Sequence, residues 1–387
     1  MTKIMTSILL AGLLAGPLLA QPEARAARPT PADTEHTRHF ALTSKLLSEF
    51  WGRPMRIEAG VVLPPGWTLE RKLPVAYEIH GFGGSHRAAW SREQRLCDQV
   101  EAGEIPALIW VFLNAQFSLG HHEFADSVNN GPWGRALTEE FIPALEAEFG
   151  AAGVPAGRFL TGHSSGGWSS LWLQVTYPEF WNGTWSTAPD PVDFRDFTGI
   201  DIYRFENAFQ DPGGNEIMLI RRNGEFIRSI RDYVEREVSR REYGGQFASF
   251  DAVFSPRGED GRPMRLFDRK TGRIDRSVAE AWRKYDIGLK LRENWETLGP
   301  KLEGKLHVWC GTEDTFRLEG ACRLLQTDLR LLCSDADVLL VEGRDHGSLM
   351  RPHEELWPKG MLARIYQDMG RSWAAAANPL PAGAGGR

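Results

Sequence analysis

The stretch that most restricts the fold lies between Arg158 and Thr176. An apolar, strand-like segment, Arg158-Phe159-Leu160-Thr161, passes through Gly162-His163-Ser164-Ser165-Gly166 directly into a helix-like segment, 167–176. A chain that turns from strand to helix within so few residues crowds its own backbone, and glycines at the corners are what such a turn tolerates. The same alternation recurs on both sides. Residues 55–63 alternate apolar and polar side chains before the Pro64-Pro65-Gly66 turn, while 73–79 and 107–113 read as buried strands feeding loops. Residues 137–149 read as a helix, with Glu139 and Glu140 in its early turns where the helix dipole favours carboxylates. Further strands are expected at 306–310 and 338–341, and further helices at 318–332 and 354–373. Strands alternating with helices predict an α/β protein whose mostly parallel sheet is covered on both faces.

The rhythm breaks between residues 188 and 304, where Pro, Gly and charge become frequent and a strongly charged helix-like piece occupies 226–241. This is expected to be an insertion beside the sheet, after its sixth-strand region. Within it, 254–274 carries Arg257-Gly258, Asp260-Gly261 and Thr271-Gly272, turn chemistry suited to hairpins. The expected organisation is therefore a leader over 1–26, a linker over 27–39, one domain over 40–373 that contains the 188–304 insertion, and a disordered Ala-, Pro- and Gly-rich tail over 374–387.

Lys3 followed by the apolar run 8–19 and by small residues reads as a cleaved secretory signal, with Ala24-Arg25-Ala26 one acceptable cleavage motif and Ala20 another end point. The run is short for a membrane span, and no later stretch is apolar enough to be one, so a periplasmic or secreted protein is expected. Cys97, Cys310, Cys322 and Cys333 are compatible with disulfides in that setting. On one helix Cys322 and Cys333 would lie roughly 16 Å apart, too far to bridge. A formal net charge of -6 and a pI near 6.0 supply no clustered positive field for nucleic acid. The oligomeric state is left open by the sequence.

Gly162-His163-Ser164-Ser165-Gly166 matches G-x-S-x-G, the pattern in which a turn lifts a serine hydroxyl above the carboxyl edge of a sheet. Such a serine needs a base, which follows it in the chain with an acid between. Beyond Ser164 only His307, His346 and His353 are available. His307 lies inside an apolar strand and His353 opens the last helix beside Pro352; His346 follows a strand through Glu342-Gly343-Arg344-Asp345, past a carboxyl end, and is the expected base. The acid is expected in Gly311-Thr312-Glu313-Asp314-Thr315, as Glu313 or Asp314. Backbone donors for an oxyanion are expected at the amide of Ser165 and in His80-Gly81-Phe82-Gly83-Gly84, at Phe82. Trp133 and Trp168 adjoin these segments as candidate substrate-binding residues, although core packing is the commoner use of a tryptophan. His121, His122 and Asp126 lack a third ligand and second shell that would make a metal site, so no metal and no cofactor are expected.

Taken in order, Val62-Leu63-Pro64-Pro65-Gly66, His80-Gly81-Phe82-Gly83-Gly84, Gly162-His163-Ser164-Ser165-Gly166, Gly311-Thr312-Glu313-Asp314 and Asp345-His346 resemble the putative-esterase family, which includes S-formylglutathione hydrolase, enterochelin esterase, feruloyl and acetyl-xylan esterases and the mycolyltransferases. The resemblance implies an α/β-hydrolase fold, a Ser164, Asp314, His346 triad with aspartate as its acid, and hydrolysis of small-molecule or carbohydrate-linked carboxylic esters through an acyl-enzyme, without a cofactor. An acyltransferase with the same triad, or a secreted binding protein on a hydrolase scaffold, are the alternatives. The long insertion is the main departure from the family.

Overall fold

The computed structural model describes residues 29–240 and 243–377. The expected signal segment and its cleavage motif, and the end of the expected tail, lie outside the described residues. An eight-stranded sheet forms the centre, from β1 (Thr37–Ser44), β2 (Met55–Val62), β3 (Val75–Ile79), β4 (Ile109–Leu113), β5 (Arg158–His163), β6 (Thr184–Thr187), β7 (Leu306–Gly311) and β8 (Asp337–Val341), in the order β1-β2-β4-β3-β5-β6-β7-β8. β2 pairs antiparallel with β1 and β4, and all later pairings are parallel. Successive side chains of a strand face opposite ways, and β4 shows the consequence. Its Trp110 and Phe112 enter one hydrophobic cluster with Leu96 and Tyr366, whereas Ile109, Val111 and Leu113 enter another with Phe141, Ile142 and Leu145. A strand buried on both faces reads as an unbroken apolar run, which is how this one reads.

The helices are α1 (Lys45–Trp51), α2 (Ala88–Glu101), α3 (Ile142–Glu148), α4 (Ser165–Thr176), α5 (Ile230–Arg240), α6 (Gln246–Phe254), α7 (Arg276–Trp282), α8 (Ile287–Leu302), α9 (Leu318–Leu331) and α10 (Met361–Ala377). Several boundaries differ from expectation. Of the piece read as helix-like over 226–241, residues 225–229 form a strand before α5, and α10 runs through Ala377 into the segment expected as a disordered tail. β1 starts at Thr37, inside the segment read as linker, because 37–44 pairs residue for residue with β2. The helix expected over 137–149 is entered through a π-helical turn, Ala136–Phe141, before α3. The last helix begins at Met361 instead of 354, since 353–357 is tied into a turn by paired backbone bonds between His353 and Trp357.

The segment after β6 adds a two-stranded hairpin, Met218–Arg222 with Glu225–Ser229, and the helices α5 to α8. It shares its core with the sheet: Phe194, Phe254 and Trp282 belong to the same cluster as Val308 and Trp309. Charge fixes it as well. Asp193 pairs with Arg195 at 2.6 Å and with Arg292 of α8 at 2.7 Å, and Arg292 reaches Asp328 of α9 at 2.6 Å. All four cysteines are free thiols, with Cys97, Cys310 and Cys322 buried and Cys333 exposed. Among the described residues, no helix is long and apolar enough to cross a membrane.

Candidate active site

The turn between β5 and α4 explains its glycines. A Cβ at Gly162 would lie 2.1 Å from the Gly166 carbonyl oxygen, and one at Gly166 would lie 1.9 Å from that of Ile79. Both positions therefore require glycine for the helix to start against the sheet. Ser164 takes φ 60° and ψ −125°, a conformation that side chains rarely adopt and that is found at functional turns. Its amide donates to Thr187 O at 3.0 Å and its carbonyl accepts from Asp190 N at 3.1 Å, so the strained corner is held from both sides. Ser165 is the first residue of α4, where the amide has no partner within the helix and the helix dipole favours negative charge.

Asp314 and His346 come together from β7 and β8. His346 Nδ1 lies 2.7 Å from Asp314 Oδ2, while Asp314 Oδ1 accepts the Phe316 amide at 2.8 Å. Asp314 is fully buried. Burial alone would lower the His346 pKa, but the charges of Asp314, Asp190 and Asp345 and the hydrogen bond to Asp314 outweigh it and hold the pKa above the ordinary value. The carboxylate selects the tautomer with its proton on Nδ1 and leaves Nε2 as the basic nitrogen. The ring packs 4.3 Å from that of His163, the residue before Ser164. His163 itself is pushed down to about 3 by burial and by His346, and its Nδ1 lies 3.1 Å from Thr187 Oγ1; it props the loop and does not serve as a base.

The other candidate loop is equally constrained. Residues 81–84 form a turn closed by Gly84 N–H to Gly81 O at 3.0 Å, with Gly83 at φ +77° and Phe82 at the corner before it. His80 braces the turn through Nδ1 to Gly81 O at 2.8 Å and Nε2 to the Ala115 amide at 2.9 Å. Gly81 lies against the nucleophile turn, where a Cβ would meet Ser164 Cβ at 3.3 Å. Beside the turn a cavity of about 270 Å³ is lined by Gly81, Arg92, Phe112, His163, Thr187 and Met350, among others.

Two carboxyls that the sequence reading missed lie under the serine. Ser164 Oγ donates to Asp190 Oδ1 at 3.3 Å and Ser165 Oγ to Asp190 Oδ2 at 2.5 Å, and Gln246 of the insertion approaches Oδ2 at 3.4 Å. Burial, then the neighbouring Glu123, pushes Asp190 up to about 7. Glu123 is 1% exposed and accepts Ser169 Oγ at 2.6 Å; burial holds its pKa well above the usual range. Asp190 follows β6 where the strand-helix rhythm stops, and no motif flags either residue.

Trp133 and Trp168 are not at a substrate face. They are 3% and 1% exposed. Trp133 stacks on His122 at 3.7 Å and donates its indole N–H to Asn130 O, and Trp168 stacks on Trp172 and touches Phe254. Their large apolar area is spent on packing, which corrects the expectation of substrate contact. His121, His122 and Asp126 do not converge on one point: His121 Nε2 bonds His80 O, His122 stacks on Trp133, and Asp126 accepts the Gly134 and Arg135 amides. His307 stacks on Trp185 within the sheet.

A strained serine at a strand-to-helix turn on this strand order, with a histidine and a buried carboxylate at the same rim, defines an α/β-hydrolase of the serine hydrolase class. Residues 48–219 match the family model described as "Putative esterase". Over those residues the chain is similar to that esterase family, and the match together with the site supports a carboxylic ester hydrolase. A ferulic acid esterase is structurally similar at 15% identity, with 87% of this chain and 99% of that chain covered and a TM-score of 0.53. The fluorophosphonate-binding serine hydrolase F of Staphylococcus aureus is similar at 12% identity, with 87% and 99% covered and a TM-score of 0.50. At these identities the likeness shows the fold alone. A search of curated sequences returns no match.

Proposed function

We propose that the chain is an exported esterase in which Ser164 attacks the ester carbonyl after giving its proton to His346 Nε2. Asp314 holds the imidazole in the productive tautomer and stabilises the imidazolium that forms. The Phe82 and Ser165 amides receive the oxyanion, and His346 then returns the proton to the departing alcohol to leave an acyl-enzyme on Ser164. Water attacks that acyl-enzyme with His346 again as base, which restores the serine. No bound cofactor takes part in these steps. The observation that carries the reading is the 2.7 Å contact between His346 and a buried Asp314 at the rim beside the Ser164 turn. Export rests on Lys3 and the apolar run after it.

The test is a fluorophosphonate probe combined with p-nitrophenyl ester hydrolysis. The full chain should be labelled at Ser164, and Ser164→Ala should lose labelling together with at least on the order of 10⁴-fold in kcat. An alanine variant that labels and turns over normally would rule the mechanism out.

A further inference from the structure

Away from the serine, β1, β2 and the entry to α2 bring together His39, Glu58 and His86, each with a donor atom within 4.8 Å of those of the other two. We propose that this cluster is a divalent-cation site selective for zinc. His86 is 6% exposed, and its Nδ1, like Nε2 of His39, is cut off from solvent without a hydrogen-bond partner. Buried ring nitrogens are ordinarily satisfied, and two unsatisfied ones converging on a carboxylate call for a ligand that accepts lone pairs. The Glu58 carboxylate is available: His39 Nε2 and Arg56 both stand 3.9 Å from Oε1, beyond hydrogen-bond reach.

The donor chemistry selects the ion. Two imidazoles and one carboxylate suit a borderline cation such as Zn²⁺ and leave a position for water, whereas Ca²⁺ and Mg²⁺ prefer all-oxygen shells. His86 is lowered from its ordinary pKa by burial, which keeps it neutral as a ligand must be. Its Nε2 lies 3.3 Å from Thr30 Oγ1, the type of outer contact that fixes the tautomer of a metal-binding histidine.

The position gives such an ion a task. His86 stands two residues past Gly84, at the foot of the loop that carries Phe82. That foot packs directly on β2, because Gly60 has no side chain; a Cβ there would lie 2.7 Å from His86 O. An ion on His39, Glu58 and His86 would clamp the antiparallel pair β1 and β2 to this loop.

The test uses the tag-free, full-length protein stripped with chelator and titrated with ZnCl₂ by calorimetry, with CoCl₂ as a spectroscopic probe. Expected are one saturable zinc per chain, visible d–d bands from the cobalt form and a rise in Tm on zinc addition. Losing a ligand should cost more than the 10- to 100-fold typical of an outer partner, so His39→Ala and Glu58→Gln should each weaken binding by roughly 100-fold or more. Glu58→Gln keeps shape and should retain the metal-free Tm, which separates lost binding from lost folding. His346→Ala should bind as the wild type does. Absence of saturable binding, or unaltered binding in both cluster variants, would overturn the assignment.

Discussion

Ser164 Oγ gives its hydrogen bond to Asp190 Oδ1, 3.3 Å away, so the hydroxyl proposed as the nucleophile rests against a buried acid. Asp190 is pushed up to about 7 by burial and by Glu123, and it is one of the charges that raise His346. Above pH 7 the Asp190 carboxylate is a strong acceptor that competes with His346 for the serine proton, and it also favours the imidazolium. Asp190→Asn removes both effects. The acidic limb of kcat/KM for p-nitrophenyl acetate should move to lower pH, because His346 loses a charge that raised it. Above neutrality kcat/KM should rise by roughly tenfold, the low end of what one charge-assisted hydrogen bond is worth. An unmoved acidic limb would show that Asp190 does not act on His346.

Asp314 offers a contrasting case, since its contact with His346 fixes a tautomer as well as a charge. In Asp314→Asn the amide can donate to Nδ1, which places the imidazole proton on Nε2, the nitrogen proposed to act as base. A fall of about 10⁴-fold in kcat at neutral pH is expected, with little change in Tm because the shape is conserved. Esterase kinetics and a thermal scan on the same preparation check both halves, and an Asn variant within tenfold of wild type would deny Asp314 that role.

Glu123 concerns stability more than rate. His121 Nε2 faces the His80 carbonyl and so carries the ring proton; Nδ1 accepts the Glu123 amide at 3.2 Å, and Glu123 Oε1 stands 3.1 Å from it. Burial lowers His121 to about 4, which keeps the ring neutral near pH 7. Glu123 Oε1 is buried without a hydrogen-bond partner, in agreement with the raised pKa that burial gives the carboxyl. The sign follows from linkage. A carboxyl with a raised folded pKa contributes fully below its unfolded value near 4.5, and the folded state loses about 1.4 kcal/mol per pH unit from there up to the folded pKa. Glu123→Gln should remove that slope, so urea midpoints between pH 5 and 8 should decline less steeply than in the wild type. Equal slopes would mean that Glu123 is ionised in the fold.

The features legible in the sequence are those written in local pattern. β4 is an apolar run because both its faces are buried, and the turn at Ser164 needs glycine where backbone meets backbone. Exhaustion among three histidines points to His346, and the structure sets that ring beside His163. What stayed hidden depends on contacts between distant segments. Asp190 and Glu123 are ordinary acids until burial raises them, and His39, Glu58 and His86 are scattered over three elements that only strand pairing unites. Trp133 and Trp168 misled because adjacency to the motif in sequence says nothing about which face of a residue is covered.

The same contacts separate two glycines that the sequence alone would rank together. Gly166 has an ordinary φ, yet a Cβ there would stand 1.9 Å from the Ile79 carbonyl oxygen, part of the β3 backbone. Relief requires α4 to move off the sheet, and with it the Ser164 turn. Gly304 has φ +70° at the entry to β7 with open space around it, so alanine meets only the backbone preference of an L-residue, roughly 1–2 kcal/mol. Gly304→Ala should therefore lower the urea midpoint slightly at unchanged m-value and leave kcat/KM intact. Gly166→Ala should cost more than about 4 kcal/mol, in the range reserved for steric disruption, and should abolish esterase activity in whatever fraction folds. Similar losses from both substitutions would show that backbone conformation, and not the close approach of α4 to β3, dictates glycine at position 166.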